Sequence, residues 1–352
     1  MAVRIGFAGV GNMGQCAHLR NYAAIADCEV VALAEMHRSK GKAVAQRYGV
    51  PKVYGTIAEM LANEQLDGIV ASQPFSRHGL LLQELLAAGV PVFTEKPIAS
   101  SVDTGRRIVS MVEASGTWLM LGYHKRSDPA TMYAKGEIER LEETGELGAM
   151  TYVRIVMPAG DWIAGGFTDL ISGDAADKPD YGALPHDPAD PEMDAATCAQ
   201  YIEFVNYYIH QVNLMRHLLG ESYEVTHADP SGVLLVGRSA SGLPCTIEMS
   251  PYRTTLDWQE SALVCFEKGW LRLSLPAPLA LHRPGTVEIF RDGGSGTPQT
   301  LSPQFPWVHA MRQQALNFLA AIRGEMPPLC GAAEALEDLL VARQYIEKRR
   351  AN

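Results

Sequence analysis

Gly9-Val10-Gly11-Asn12-Met13-Gly14 follows directly on the apolar run Val3 to Ala8 and opens a helical stretch. Three glycines at that spacing, between a strand and a helix, form the G-x-G-x-x-G fingerprint of a dinucleotide-binding βαβ unit. Gly9 makes the tight turn, and Gly11 lets the backbone approach a pyrophosphate at the helix start, beside Asn12 and Met13. Gly14 allows close packing of helix on strand. Such a unit places an acid about 20 residues on to bind the adenine ribose hydroxyls. Glu35, 21 residues beyond Gly14 and at the end of a second apolar run, meets that requirement. A merely glycine-rich turn is the competing reading; strand, glycines, helix and acid in order favour the fingerprint. Glu35 repels a ribose 2′-phosphate, whereas His37, Arg38 and Lys40 just beyond it attract one, so NAD is expected ahead of NADP.

The fingerprint requires a parallel sheet, and the first 125 residues alternate accordingly. Val3 to Ala8, Val30 to Ala34, Gly68 to Ala71, Pro91 to Thr94 and Trp118 to Leu121 read as buried strands. Between them, His78 to Ala88 and Ser101 to Ser115 carry apolar residues at helical spacing and stop at Gly89 and Gly116. Residues 1–126 are expected to form a Rossmann-type, doubly wound α/β domain with a parallel sheet. Beyond Arg126 the texture changes. A Glu-rich helix (Tyr133 to Glu143) and a strand (Met150 to Val156) precede β-rich runs at hairpin spacing between Val225 and Phe290, and helices over Val308 to Arg323 and Ala332 to Lys348 close the chain. Residues 127–352 are expected as an α+β substrate-binding and oligomerisation domain with a mostly antiparallel sheet, its closing helices free to pack back on the first domain. The Gly-, Pro- and Asp-rich stretch between Pro158 and Ala199 exceeds the roughly 12 to 15 residues beyond which structureless loops become uncommon. It reads as a lid, an inter-subunit arm or a substrate loop, with a solvated insertion as the alternative.

Hydrophobic residues at 47% and charged residues at 20% match ordinary globular usage. The N-terminus carries no basic leader or cleavage site, and no apolar run reaches the roughly 18 residues of a membrane span. A soluble, cytoplasmic protein is expected. A net charge of -10 argues against nucleic acid as a partner. Six scattered cysteines without a C-x-x-C pair suggest neither a disulfide framework nor a zinc site, and no metal is expected.

Thr94-Glu95-Lys96-Pro97 stands at the carboxyl end of a strand, the edge where open α/β sheets bind ligands. A lysine there can hydrogen-bond a substrate oxygen and stabilise the charge that develops as its proton leaves. By residue type alone, a structural or solvent-exposed lysine is the commoner case. Tyr201 to Gly220 reads as one amphipathic helix, with Asn206, His210, Asn213 and His217 in a polar stripe beside Ile202, Val205, Ile209, Val212 and Leu219. A histidine in such a stripe is most often solvent-facing or simply held in place.

The fingerprint, Gln73-Pro74 with His78, the Glu95-Lys96-Pro97 triplet, and Gly122-Tyr123-His124-Lys125-Arg126 before Pro129 together resemble the Gfo/Idh/MocA family. That family includes glucose-fructose oxidoreductase and inositol dehydrogenases. The resemblance covers most of the chain and implies a Rossmann domain followed by a sheet domain that often forms the oligomer interface, hence a homodimer or homotetramer. It implies a catalytic Lys96, with Pro74, Glu95 and Lys96 lining the nicotinamide pocket and Gln73 and His78 among the cofactor-binding residues; Arg38, just beyond Glu35, joins them by position. Many sugar and inositol dehydrogenases of the family carry D-x-x-x-H on the Tyr201 to Gly220 helix. Here the pattern is Asn206-Tyr207-Tyr208-Ile209-His210, so the histidine matches and the acid does not.

The implied roles are that His210 takes the hydroxyl proton, Lys96 stabilises the forming alkoxide, and hydride passes from the carbinol carbon to the nicotinamide. Asn206 orients substrate or His210. Being neutral, it cannot stabilise an imidazolium as an aspartate does, which leaves room for Tyr123, Lys125 or Tyr207 to contribute. Lys125, Arg126, Tyr123, Asp161, Trp162 and Asn213 are expected near the substrate; Asp161 and Trp162 are alternatively a loop anchor, and Arg126 an interdomain salt bridge. The expected activity is NAD(P)-dependent oxidation of a secondary hydroxyl on a sugar, glycoside or cyclitol, or the reverse reduction. The alternatives are a hydrolase or lyase that recycles tightly held NAD, and a non-catalytic dinucleotide-sensing regulator.

Overall fold

The computed structural model describes residues 2–294 and 296–351. Two compact units share the chain. The first takes the chain up to Tyr123 together with Gly165–Asp194 and Gln314–Leu336; the second takes His124–Ala164, Ala195–Gln313 and the chain from Glu337.

In the first unit, β1 (Val3–Ala8), β2 (Cys28–Ala34), β3 (Lys52–Tyr54), β4 (Gly68–Ala71), β5 (Val92–Thr94) and β6 (Leu119–Leu121) form a parallel sheet in the order β3-β2-β1-β4-β5-β6. The order reverses between β1 and β4, which makes the crevice at their carboxyl ends the ligand-binding switch point of such a sheet. A π-helical turn over Gly14–Leu19 runs into α1 (Arg20–Tyr22), and α2 (Arg38–Tyr48), α3 (Ile57–Asn63), α4 (His78–Leu86) and α5 (Val102–Ser115) follow. Local chemistry sets the ends. Thr56 and Glu59 make a reciprocal capping box at the start of α3, Ser101 caps α5, and α5 stops at Gly116 with φ +69. The strands read as continuous apolar runs because both faces are buried: Ile5, Phe7, Leu33, Val70 and Phe93 lie in one core with Phe318 and Leu319. Strand β3 was not foreseen. Its three residues, Lys52, Val53 and Tyr54, are partly or fully exposed at the sheet edge and carry neither an apolar run nor alternation.

The second unit opens with α6 (His124–Ser127) and α7 (Pro129–Thr144), and Asp128 caps α7 ahead of a proline at its first turn. Then come β7 (Met150–Ala159), α8 (Ala195–Tyr207), α9 (Ile209–Leu219), β8 (Tyr223–Ala228), β9 (Leu234–Ser239), β10 (Pro244–Arg253), β11 (Ser261–Phe266), β12 (Gly269–Ser274), β13 (Thr286–Arg291) and β14 (Gln299–Leu301). These eight strands lie in the order β14-β13-β12-β11-β7-β10-β9-β8. Neighbours are antiparallel except β7 and β10, which run parallel. Alternate residues of β11 are buried, as expected for a sheet with one covered face. The chain closes through α10 (Ala310–Ile322) and α11 (Ala332–Ala351).

The single helix expected over Tyr201 to Gly220 is instead two, α8 and α9, parted at Tyr208. There the Gln211 N–H bonds the Tyr208 carbonyl three residues back, at 3.0 Å, while the Tyr208 ring packs on Phe204 and edge-on against Tyr207. Aromatic packing, with no glycine or proline in the stretch, accompanies the break.

Candidate functional site

At the switch point, Gly9 has φ +92, and a Cβ there would meet Gln73 Nε2 at 2.5 Å and the Ser72 carbonyl at 2.8 Å. A Cβ on Gly14 would meet the Gly9 carbonyl at 2.8 Å, whereas one on Gly11 meets nothing within 4 Å. Gly9 and Gly14 are thus required by packing, and Gly11 leaves the backbone open where the helix begins with Asn12 and Met13. Glu35, buried just past β2, accepts the Val10 N–H at 3.0 Å and the His37 N–H at 3.0 Å, and pairs with Lys40 at 3.2 Å. An open glycine at a helix start and a carboxylate fixed beside it fit the pyrophosphate and ribose of a dinucleotide. Arg38 is exposed at the first position of α2.

Across the switch point, Gln73 Nε2 donates to the Ala8 carbonyl at 3.1 Å, and the exposed Pro74 follows. His78 is buried, with Nδ1 3.1 Å from the Ile98 carbonyl and Nε2 3.3 Å from both the Gln73 carbonyl and Thr94 Oγ1. Burial pushes its imidazole down from the usual value despite these carbonyls. The ring ties the Gln73-Pro74 turn to the turn after β5 and acts as a positioning group. On that second turn, Glu95 Oε1 lies 2.6 Å from His18 Nε2, and Oε2 accepts the Lys96 N–H at 3.2 Å. Burial would raise the Glu95 carboxyl, but the His18 hydrogen bond and the His18 and Lys96 charges outweigh it and hold it below the usual carboxylate range. Lys96 is half-buried and precedes a cis proline. Sequence reasoning missed His18: a buried histidine behind the glycine turn has no motif of its own.

In the second unit, His210 lies in the first turn of α9, half-buried, with its ring edge-on to His124 at 4.6 Å. Asn206 is exposed near the end of α8. Three residues expected to touch substrate have internal partners instead. Lys125 Nζ pairs with Glu260, which also accepts the Gln211 amide at 2.7 Å, and lies 5.6 Å from the Trp258 ring centroid. Arg126 Nε donates to Asn213 Oδ1 at 2.8 Å, and Asn213 Nδ2 donates to Asp338 at 2.7 Å. All three are buried, and a buried charge or amide demands a partner. The polar stripe accordingly does not present Asn213 to solvent. Asp161 Oδ1 accepts the Ile163 and Ala164 N–H groups at 3.0 Å, and the Trp162 carbonyl accepts the Leu279 N–H at 3.3 Å, the geometry of a loop anchor. Tyr123 is buried at the end of the first unit.

The long loop is partitioned. Residues 165–194 belong to the first unit and lie along the segments that follow β1, β2 and β4. Gln15 exchanges hydrogen bonds with Ile171 in both directions at 3.0 Å, and His37 Nε2 contacts the Asp174 carbonyl at 2.8 Å. Further along, Arg77 donates to the Pro185 carbonyl at 3.0 Å, and Asp187 accepts the Gly79 N–H at 2.8 Å. Among the described residues, no group of three or more His, Cys, Asp or Glu is placed to hold a metal ion, and no helix is long and apolar enough to cross a membrane.

A family model described as an oxidoreductase family with an NAD-binding Rossmann fold matches residues 3–123. The inositol 2-dehydrogenase of Rhizobium meliloti strain 1021 is 26% identical over 99% of this chain and 99% of its own length. Scyllo-inositol dehydrogenase from Lactobacillus casei, solved with NAD(H) and scyllo-inositol, superposes with a TM-score of 0.67 at 17% identity over 99% of this chain and 97% of that one. The aldose-aldose oxidoreductase from Caulobacter crescentus, solved with glycerol, gives 0.69 at 18% identity over 100% of this chain and 98% of that one. At such identities the two structures establish the shared fold.

Proposed function

With residues 3–123 matching an NAD-binding oxidoreductase family and the whole chain similar to an inositol 2-dehydrogenase, we propose that the chain is a Gfo/Idh/MocA oxidoreductase that moves a hydride between a secondary hydroxyl of a cyclitol or related sugar and NAD. The observation that carries this reading is Lys96 itself, half-buried at the carboxyl edge of the parallel sheet behind a Glu95 carboxylate pinned by His18. Bound NAD supplies the hydride acceptor. Gly11 and the helix start would hold its pyrophosphate, Glu35 its adenine ribose, and Pro74, Glu95 and Lys96, with Gln73 beside them, its nicotinamide end. Lys96 donates from Nζ to the substrate oxygen and stabilises the charge that grows as the proton leaves. His210 accepts that proton at a ring nitrogen. Asn206 orients the substrate, and no aspartate at its position lends charge to an imidazolium. The end-to-end likeness to an inositol 2-dehydrogenase supports a cyclitol as substrate. The family resemblance supports a homodimer or homotetramer.

The segment 165–194, packed beside the glycine turn, favours one second reading, an enzyme that keeps NAD bound and re-reduces its product. Carbon-deuterated inositols distinguish the two. Deuterium on the nicotinamide of free NADH supports the dehydrogenase, and substrate conversion without free NADH supports internal recycling. No conversion of any polyol overturns both.

A further inference from the structure

Residues 165–194 bring an acid to the place where a phosphorylated cofactor is told from an unphosphorylated one. Past Glu35 the chain enters α2 through His37-Arg38-Ser39-Lys40, an imidazole, a hydroxyl and two cations. In a dinucleotide-binding unit, the side chains just beyond the ribose-binding acid meet the adenosine 2′ position, and a basic residue there accommodates a 2′-phosphate.

Here two of those groups, Ser39 and His37, already hold an anion. Asp177 accepts the Ser39 N–H at 2.8 Å and the Ser39 hydroxyl at 2.5 Å, and stands 3.1 Å from His37 Nε2. The Ser39 hydrogen bonds are the leading cause that holds the Asp177 carboxyl below its usual value. Neighbouring groups fix the arrangement. The Asp174 N–H donates to Ser39 Oγ at 2.8 Å, and Gly173 lies so close that a Cβ would strike the His37 ring at 2.7 Å. Lys40 is engaged by Glu35 at 3.2 Å.

We propose that Asp177 is a cofactor-specificity residue: its carboxylate takes the place of an adenosine 2′-phosphate and, with Glu35, excludes NADP from a cleft that admits NAD. An entering 2′-phosphate must either displace Asp177 from Ser39 and His37 or remain beside it as a like charge, and both oppose binding. A cofactor lacking that phosphate meets no such obstacle. The inference rests on Glu35 being the ribose ligand.

The test is the dissociation constant of NADH and of NADPH, by fluorescence titration, for wild type, Asp177→Ala, Asp177→Asn, Glu35→Gln and Asp187→Ala. Asp177→Ala is expected to tighten NADPH roughly tenfold or more and to leave NADH within about threefold. Asp177→Asn moves the same way by less, since it keeps the hydrogen-bonding shape. Asp187→Ala loosens the same segment at the Gly79 N–H and leaves the NADPH-to-NADH ratio unchanged. An unchanged ratio in Asp177→Ala, or an equal change in Asp187→Ala, overturns the proposal. Glu35→Gln is expected to weaken NADH; unchanged NADH affinity overturns the ribose reading separately, whatever Asp177→Ala shows.

Discussion

His18 and Glu95 meet at 2.6 Å and join the helical turn behind the glycine fingerprint to the turn that carries Lys96. Their side chains are 2% and 12% exposed, and the imidazole is the side-chain partner the carboxylate has beside the Lys96 N–H. His18→Leu leaves that charge poorly compensated and is expected to destabilise the protein by about 3 kcal/mol at pH 7. The Glu95 carboxyl is held below its ordinary value. Its contribution is therefore present above the unfolded carboxyl value of about 4.3 and lost as the pH falls through the lowered one. Urea midpoints of the two proteins should differ at pH 7 and converge in acid. Equal midpoints at pH 7 contradict the account.

Asp338, with its side chain fully buried, gathers Arg216 at 2.9 Å and Asn213 at 2.7 Å, and Asn213 in turn accepts from Arg126. Asp338→Ala exposes a buried guanidinium to the loss of its counter-charge and is expected to cost about 3–5 kcal/mol. Because Arg126 acts inside this cluster, Arg126→Ala should lower the denaturation midpoint while the KM of the folded enzyme for its polyol stays near wild type. A raised KM with unchanged stability returns Arg126 to the substrate.

Burial pushes the Asp128 carboxyl up to about 6, against the Gly285 and Ala130 N–H groups that hydrogen-bond it. An acid raised on folding contributes stability that is full below its unfolded value and lost as the pH rises through the folded one. Asp128→Asn keeps the cap oxygen for α7 and removes the titration. Between pH 4.5 and 7.5, wild type should lose about 2 kcal/mol relative to the variant. Denaturant midpoints across that range check it; parallel pH profiles speak against it.

Much of the proposed cofactor edge is legible along the chain because spacing encodes it. Gly9, Gly11, Gly14 and Glu35 act through a strand, a turn and a helix that follow one another. The substrate side is not local in this way. Lys125, Arg126 and Asn213 announce polarity, but their partners Glu260 and Asp338 come from distant segments, and no local pattern says that these polar groups satisfy each other. The break at Tyr208 was hidden for a related reason: Tyr207-Tyr208-Ile209 contains no helix breaker, and the aromatic packing that accompanies it is tertiary. The stretch beyond Pro158 showed its length and polarity, not that residues 165–194 join the first unit.

Hydride transfer assisted by Lys96 is read by NADH absorbance with NAD and a panel of cyclitols, for wild type and Lys96→Ala, with NADH binding measured on both. Turnover is expected in wild type, with a roughly hundredfold to thousandfold fall in kcat for the variant and NADH affinity nearly unchanged. Equal turnover in the two proteins contradicts that role for Lys96.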